Sequence, residues 1–235
     1  MQGSLPFPSK SATQIVAACG MQAEERIAAD ARVRTVCGSG DPNLLRARLT
    51  AALTGQRVAA LVSFGIAGGL DTGLAPGTPI LAPWVIGVRG RWNTDARWLK
   101  ILAQACGCAV CEGIAGNDLP VGTMGEKRYL RSHTGAAAVD MESHIVAETA
   151  NEHALPFAII RVVADSAQRP LPSAALVPLR QDGRPDLIGV LNSLAKKPGQ
   201  LPALIGIARD TRLAFRSLRR IRRDFGLGFA CPDLF

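Results

Sequence analysis

The sequence predicts one α/β domain, a twisted mixed β-sheet flanked by helices, and three observations carry that prediction. Compact apolar runs rich in β-branched residues, such as Thr13–Cys19, Val58–Phe64 and Phe157–Val163, have the length of buried strands. Between them lie segments with apolar residues at helical spacing, for example Leu44, Leu45, Leu49 and Leu53. A length of 235 residues with 48% hydrophobic content suits a single well-buried domain over residues 1–235.

Gly20 closes the first strand, and the following helix opens Met21-Gln22-Ala23-Glu24-Glu25-Arg26, with Glu24 in its first turn. An acid there complements the helix dipole, worth only about tenths of a kcal/mol. Arg34–Cys37 reads as the second strand, and Pro42 and Asn43 start a helix after a glycine-rich turn. Arg46 and Arg48 lie on its other faces, as solvated charges or as parts of an anion site. Val58–Phe64 runs into Gly65-Ile66-Ala67-Gly68-Gly69-Leu70, where glycine permits positive φ and close approach of backbone to a ligand. Ala67 and Gly68 are candidates for lining a substrate, with a structural turn as the other reading. The pattern is not GxGxxG followed by a ribose-binding acid, which gives little support to a Rossmann dinucleotide site.

Thr78–Val88 resumes a strand whose prolines point to an edge or a bulge. Asn93–Gly107 is a helix with a core stripe of Trp98, Ile101, Leu102 and Ala105. Ala109–Gly116 is a strand leading into Asn117–Gly122, Glu126–His133 a short basic helix, and Gly135–Val139 a return to the sheet. Then comes AVDMESHIVAETANEHALPFAIIRVVAD, Ala138–Asp165: strand, helix, turn at Leu155-Pro156, strand. This brings Asp140, Glu142 and Asp165 close to strand ends, where open α/β sheets keep their sites. Carboxylates delivered there suit an enzyme that binds hydroxyls and passes a proton. The loop 166–183 carries three prolines without a regular period, the mark of a lid or binding loop. Pro185–Leu194 is a helix, Lys196–Pro202 a hinge, and 203–225 a basic amphipathic helix.

The net charge of +8 is unevenly placed: Arg209, Arg212, Arg216, Arg219, Arg220, Arg222 and Arg223 against Asp210 and Asp224 give +5 in the last helix. That distribution argues against nucleic acid as a partner and for one cationic surface, either a solvated face or one attracted to anionic headgroups. Cys106, Cys108 and Cys111 cluster without a fourth ligand or a second CxxC, so a turn is expected there and no metal. No run approaches the roughly 18 apolar residues of a membrane span, and the start lacks a basic region followed by an apolar one. A cytoplasmic protein is expected, with peripheral contact at the inner membrane surface as an extension.

With these pieces in order, the chain resembles the nucleoside phosphorylase and nucleosidase superfamily. The resemblance runs from Thr13 to Asp165 and rests on GMQAEE after the first strand, GIAGGLDTGLAPGTPI in the middle, and AVDMES followed by LPFAIIRVVAD. Within that group it is nearest to the hopanoid-associated phosphorylases, through TGAAAVDMESHIVAETA, the proline-rich loop and the arginine-rich last helix. The resemblance implies cleavage of the N-glycosidic bond of an adenosyl compound, adenosylhopane foremost, with release of adenine in hopanoid biosynthesis. It implies that Glu142, beside Met141, grips the ribose hydroxyls, since a carboxylate accepts two charge-assisted bonds. It also implies that Asp165 is the general acid for the departing base, Glu24 the residue that orients and deprotonates water, and Arg161 a residue at the nucleophile.

Departures from the pattern are Ile66 and Ala164, where nucleosidases have serines, and Asp118–Gly122, which lacks the usual stacking aromatic. Leu119 and Val121 are the candidates to cover the base instead. No cofactor is expected. Phosphate as co-substrate stays open beside water: Glu24 repels a dianion, whereas Arg161 with Arg46 or Arg48 attracts one. A soluble methylthioadenosine/S-adenosylhomocysteine nucleosidase or purine nucleoside phosphorylase is the alternative of the same class, and a non-catalytic binding protein the alternative of another. The expected partners are a small-molecule or lipid-linked nucleoside and further copies of the chain in a homo-oligomer.

Overall fold

The computed structural model describes residues 14–55, 57–107, 109 and 111–232, so Thr13, the N-terminal segment read for a leader, and Cys108 lie outside the described residues. In chain order the elements are β1 (Gln14–Cys19), α1 (Gln22–Ala28), β2 (Val33–Cys37), α2 (Pro42–Leu53), β3 (Val58–Gly69), β4 (Pro79–Leu81), β5 (Trp84–Gly87), β6 (Gly90–Asn93) and α3 (Ala96–Cys106). They continue as β7 (Ile114–Gly116), α4 (Met124–Thr134), β8 (Ala138–Asp140), α5 (Ser143–Glu152), β9 (Phe157–Asp165), α6 (Leu187–Lys196) and α7 (Leu201–Asp224). The strands form one mixed sheet ordered β2-β1-β3-β8-β7-β5-β6, with β9 on the other edge of β3 and β4 beyond β9.

Helices cover both faces because the strands alternate. Ile15, Ala17 and Cys19 pack with Trp98 and Leu102 of α3 and with Ala214, Leu218 and Ile221 of α7. Val16 and Ala18 face the other way, against Leu45 and Leu49 of α2 and Ile145, Val146 and Ala150 of α5. Local signals set the helix ends. The Asp41 side chain accepts from the amides of Asn43 and Leu44, and Asp95 from that of Trp98 at 2.7 Å. Gly107 and Gly135 end α3 and α4 in the left-handed conformation, at φ 63° and 68°.

The structure departs from the sequence reading at several elements. β3 continues to Gly69, and its glycines are extended rather than at positive φ. The single strand expected over Thr78–Val88 is two: β4 pairs with β9, while β5 pairs with β6 and β7. Pro83, with no N–H to give to a ladder, stands at the change of partner. The helix expected from Asn93 begins at Ala96 because Gly90–Asn93 is the return strand of a hairpin. The strand expected over Ala109–Gly116 is confined to Ile114–Gly116, and the last helix starts at Leu201.

Arg222 also departs from its neighbours on α7, for it turns inward. It donates to the Ala28 and Gly226 carbonyls at 3.0 and 2.7 Å, pairs with Asp30, and lies 4.2 Å from the centre of the Phe229 ring. Burial pushes the Asp30 carboxyl up, but amide donors from Gly228 and Arg32 and the Arg222 guanidinium together hold it below its usual range. A carboxylate with a depressed folded pKa adds stability above the ordinary carboxylate range, and that stability disappears as pH falls through the folded value. Arg222→Met is therefore expected to cost about 2–3 kcal/mol at pH 7 in urea denaturation. The difference from wild type should shrink below about pH 4, and a pH-independent difference would contradict this account.

Candidate active site

The site is built where β3 changes partner. β1 accompanies β3 as far as the Ala18–Ser63 pair, and β8 joins the same edge only at Gly68–Val139. Between them Ile66 presents its amide to no strand. Glu24 takes it: Oε1 accepts from the Ile66 amide at 2.8 Å, while Oε2 reaches back to the Gly20 and Met21 amides at 2.8 and 2.9 Å. The carboxylate thus caps its own helix and plugs the gap in the sheet at once. Burial pushes its pKa up, against the pull of Arg161 and of these three amides.

Arg161 projects from the middle of β9, beside Gly65 of β3, and is fully buried. Its Nη2 donates to Ser63 Oγ at 2.5 Å and lies 3.2 Å from Glu142 Oε2, and its Nη1 donates to the Ile66 carbonyl at 3.4 Å. Its Nε sits 2.6 Å from Asp140 Oδ2, a close charge contact without the direction of a hydrogen bond. Gly65 makes room for this, since a Cβ there would stand 2.5 Å from Glu24 and 2.6 Å from the guanidinium. Gly20 is just as confined, with a virtual Cβ 2.7 Å from Glu142 and 3.4 Å from Glu24, so the two glutamates are neighbours. Burial raises the Glu142 pKa to about 7; Arg161 opposes the rise, and Asp140 and Glu24 add to it. Asp140 itself accepts from the Ser143 amide at 3.0 Å, from the Ser143 hydroxyl and from the Glu142 amide at 3.3 Å, which fixes the start of α5.

These groups border a cavity of about 430 Å³. Of the residues picked out from sequence, Glu24, Ala67, Gly68, Leu119, Val121, Met141, Glu142 and Asp165 line it, and Arg161 lies behind the carboxylates rather than in the lining. The charged lining residues are Glu24, Asp118, Asp140, Glu142 and Asp165, with no lysine or arginine among them. Arg46 and Arg48 are elsewhere: Arg46 pairs with Glu148 at 2.9 Å and Arg48 donates to the Cys37 carbonyl. The outer wall is apolar and comes from the proline-rich segment, through Leu171, Leu176, Val177 and Leu179. That segment is tied down by Leu171 donating to the Gly122 carbonyl at 2.8 Å and Gln22 donating to that of Gly183 at 3.1 Å. A short 3-10 turn, Ser173–Leu176, stiffens its middle. No group of residues able to hold a metal is found among the described residues.

Asp165 ends β9 with its carboxyl near Gly68, and burial pushes its pKa up against the pull of Lys127. Lys127 is the residue that sequence reading missed. It stands in the segment read only as a short basic helix, yet it is fully buried and its ammonium binds Asp165. A signal was present, since Lys127 stands three residues before Leu130, on the stripe that faces the domain.

A family model described as the phosphorylase superfamily matches residues 26–179, more than half of the chain. Among solved structures, the Helicobacter pylori 5′-methylthioadenosine/S-adenosyl homocysteine nucleosidase aligns with a TM-score of 0.63 at 14% identity, covering 91% of this chain and 99% of that one. The nucleosidase of the same name from Neisseria meningitidis gives 0.63 at 17%, covering 91% and 97%. The futalosine hydrolase of Helicobacter pylori gives 0.60 at 15%, covering 65% and 88%. At these identities the likeness is one of fold. A comparison with curated protein sequences finds no match. The family match establishes that the chain belongs to the phosphorylase superfamily.

Proposed function

We propose that this enzyme hydrolyses the N-glycosidic bond of an adenosyl compound with a large apolar 5′ substituent, adenosylhopane being the substrate that fits the reading. The observation that carries it is the division of the cavity: four buried carboxylates, Glu24, Asp140, Glu142 and Asp165, and no cation in its lining, with leucine, valine and proline on the outer wall. Similar folds bearing the names of methylthioadenosine nucleosidase and futalosine hydrolase support a nucleoside as the substrate class.

In this mechanism Glu142 accepts the ribose hydroxyls and stabilises the cationic sugar as the bond breaks. Glu24, locked by three amides and made more basic by burial, orients water and takes its proton. Asp165 delivers a proton to the departing adenine. Phosphate is disfavoured because a unit charge about 5 Å from a carboxylate is repelled by about 3 kcal/mol at an effective dielectric of about 20, and two glutamates adjoin here. The nearest cation, Arg161, is already shared among Asp140, Glu142 and Ser63.

The apolar wall leads to an apolar surface. Val177 packs on Gly189 of α6, a helix with no buried residue and with Leu187, Ile188 and Leu191 exposed. Exposed arginines line α7, which follows α6 in the chain, among them Arg209, Arg212 and Arg216. We read this as the face that meets anionic lipid, so that a lipid-linked nucleoside reaches the cavity from the membrane surface.

Adenine release should proceed without phosphate, yield the free sugar, and be faster from adenosylhopane than from methylthioadenosine or adenosine. A product bearing sugar phosphate would overturn hydrolysis. Asp165→Asn and Glu24→Gln are each expected to lower kcat by about 100- to 10,000-fold. Glu142→Gln should lose activity yet gain stability at high pH: a carboxyl with a raised folded pKa destabilises the fold as pH climbs from the ordinary range to about 7. A gain of about 1–3 kcal/mol at pH 8, absent at pH 4, is the expected result of thermal unfolding. Vesicle sedimentation should show binding to anionic and not to neutral lipid, weakened by Leu187→Asp with Leu191→Asp; equal binding to both lipids would refute the membrane face.

A further inference from the structure

Among the described residues Lys127 is the lysine buried without residual exposure, and a buried ammonium is tolerated only when its protons are all used. They are used on one short stretch of chain. Nζ binds Asp165 Oδ2 and donates to the Ser166 carbonyl at 2.8 Å and the Arg169 carbonyl at 3.2 Å. Three donors meet three acceptors, so α4 is bolted to the end of β9 and to the first turn of the segment that roofs the cavity. The bolt takes Oδ2 of Asp165 and leaves Oδ1 for a ligand, in a carboxyl group that lines the cavity with both oxygens beside Gly68.

We propose that Lys127 is the positioning residue of the general acid. It holds Asp165 with Oδ1 toward the leaving base, and it balances the negative charge that Asp165 acquires when its proton departs. The inference rests on the glycosidic cleavage proposed above. In that step the Asp165 O–H bond breaks as an N–H bond forms on the base, and the electrons of the C–N bond pass to the base. Water adds its oxygen to the sugar carbon and gives a proton to Glu24. Lys127 keeps its own protons throughout, and its ammonium changes partner from a carboxylic acid to a carboxylate.

The charged groups facing Asp165 are Lys127 from α4, Arg169 from the covering segment and Asp210 from α7, and the last two pair with each other. Removing Lys127 leaves an acid beside a neutral pair. Loss of an adjacent cation raises a carboxyl pKa, so the protonated acid survives to higher pH and the alkaline limb of the rate profile moves upward.

The test is the pH profile of adenine release by wild type, Lys127→Met, Lys127→Gln and Lys127→Arg. A parallel assay uses a 4-nitrophenyl riboside, whose leaving group departs without a proton. The two neutral variants should shift the alkaline limb up by about one unit or more and lose roughly tenfold or more in adenine release. Both should keep 4-nitrophenol release within about threefold, the control for an intact fold and sugar site. Lys127→Arg should leave the limb close to that of wild type. Lys127→Gln keeps a donor beside the two carbonyls, so an uncharged variant remains if the methionine variant fails to fold. An unmoved limb in an active neutral variant, or equal loss on both substrates, overturns the role given to Lys127 alone. A wild-type enzyme that releases no adenine from any adenosyl compound overturns both readings.

Discussion

A fully buried guanidinium holds this structure's business end together. Arg161 lies beneath Asp140 and Glu142, within reach of Glu24 across Gly65, and one buried positive charge thereby serves three carboxylates that are themselves buried. Burial raises the pKa values of Glu24 and Glu142, and the single guanidinium pulls against that rise without cancelling it. An apolar core of the same volume would be more stable. What the arrangement keeps instead is a set of carboxylates in fixed positions beside a cavity, among them Glu142, pushed up to about 7.

The backbone makes this crowding feasible. β3 exchanges β1 for β8 part-way along one edge, which leaves the Ile66 amide for Glu24, and on its other edge β9 supplies both Arg161 and Asp165. One long strand therefore sets the distance between the cluster of Glu24 with Arg161 and the Asp165 carboxyl. Gly20 and Gly65 are needed for close approach and not for their backbone freedom, because side-chain atoms occupy the space a Cβ would fill. Lys127 completes the frame from the far side by joining the acid to the covering segment.

The pieces of this site were unequally legible. Glu142 and Asp165 could be found because a strand–helix–strand pattern in one continuous stretch leaves acids at strand ends. An arginine within FAIIRVVAD announced that it needed a partner, but not that Asp140, Glu142 and Ser63 would all supply one. Glu24 carried two readings, an acid complementing the helix dipole and a site residue, and the structure places it at the start of its helix and in the cavity lining, its two oxygens divided between its own helix and β3. Lys127 looked like any charge on a basic helix, because burial of an ammonium depends on an acceptor set that lies 38 or more residues away in the chain.

The sequence by itself determined the class of fold, most of its strands and helices, and the acids that gather at the strand ends, because periodicity, caps and residue type act over a few residues. Only the tertiary structure decided which strand exchanges partners at Pro83, that the expected positive-φ glycine turn is extended strand, that Arg222 turns inward, and that Arg161 sits behind the cavity rather than in it. Each of these depends on groups far apart in the chain competing for the same buried volume and the same unpaired donors, a competition that local pattern does not record.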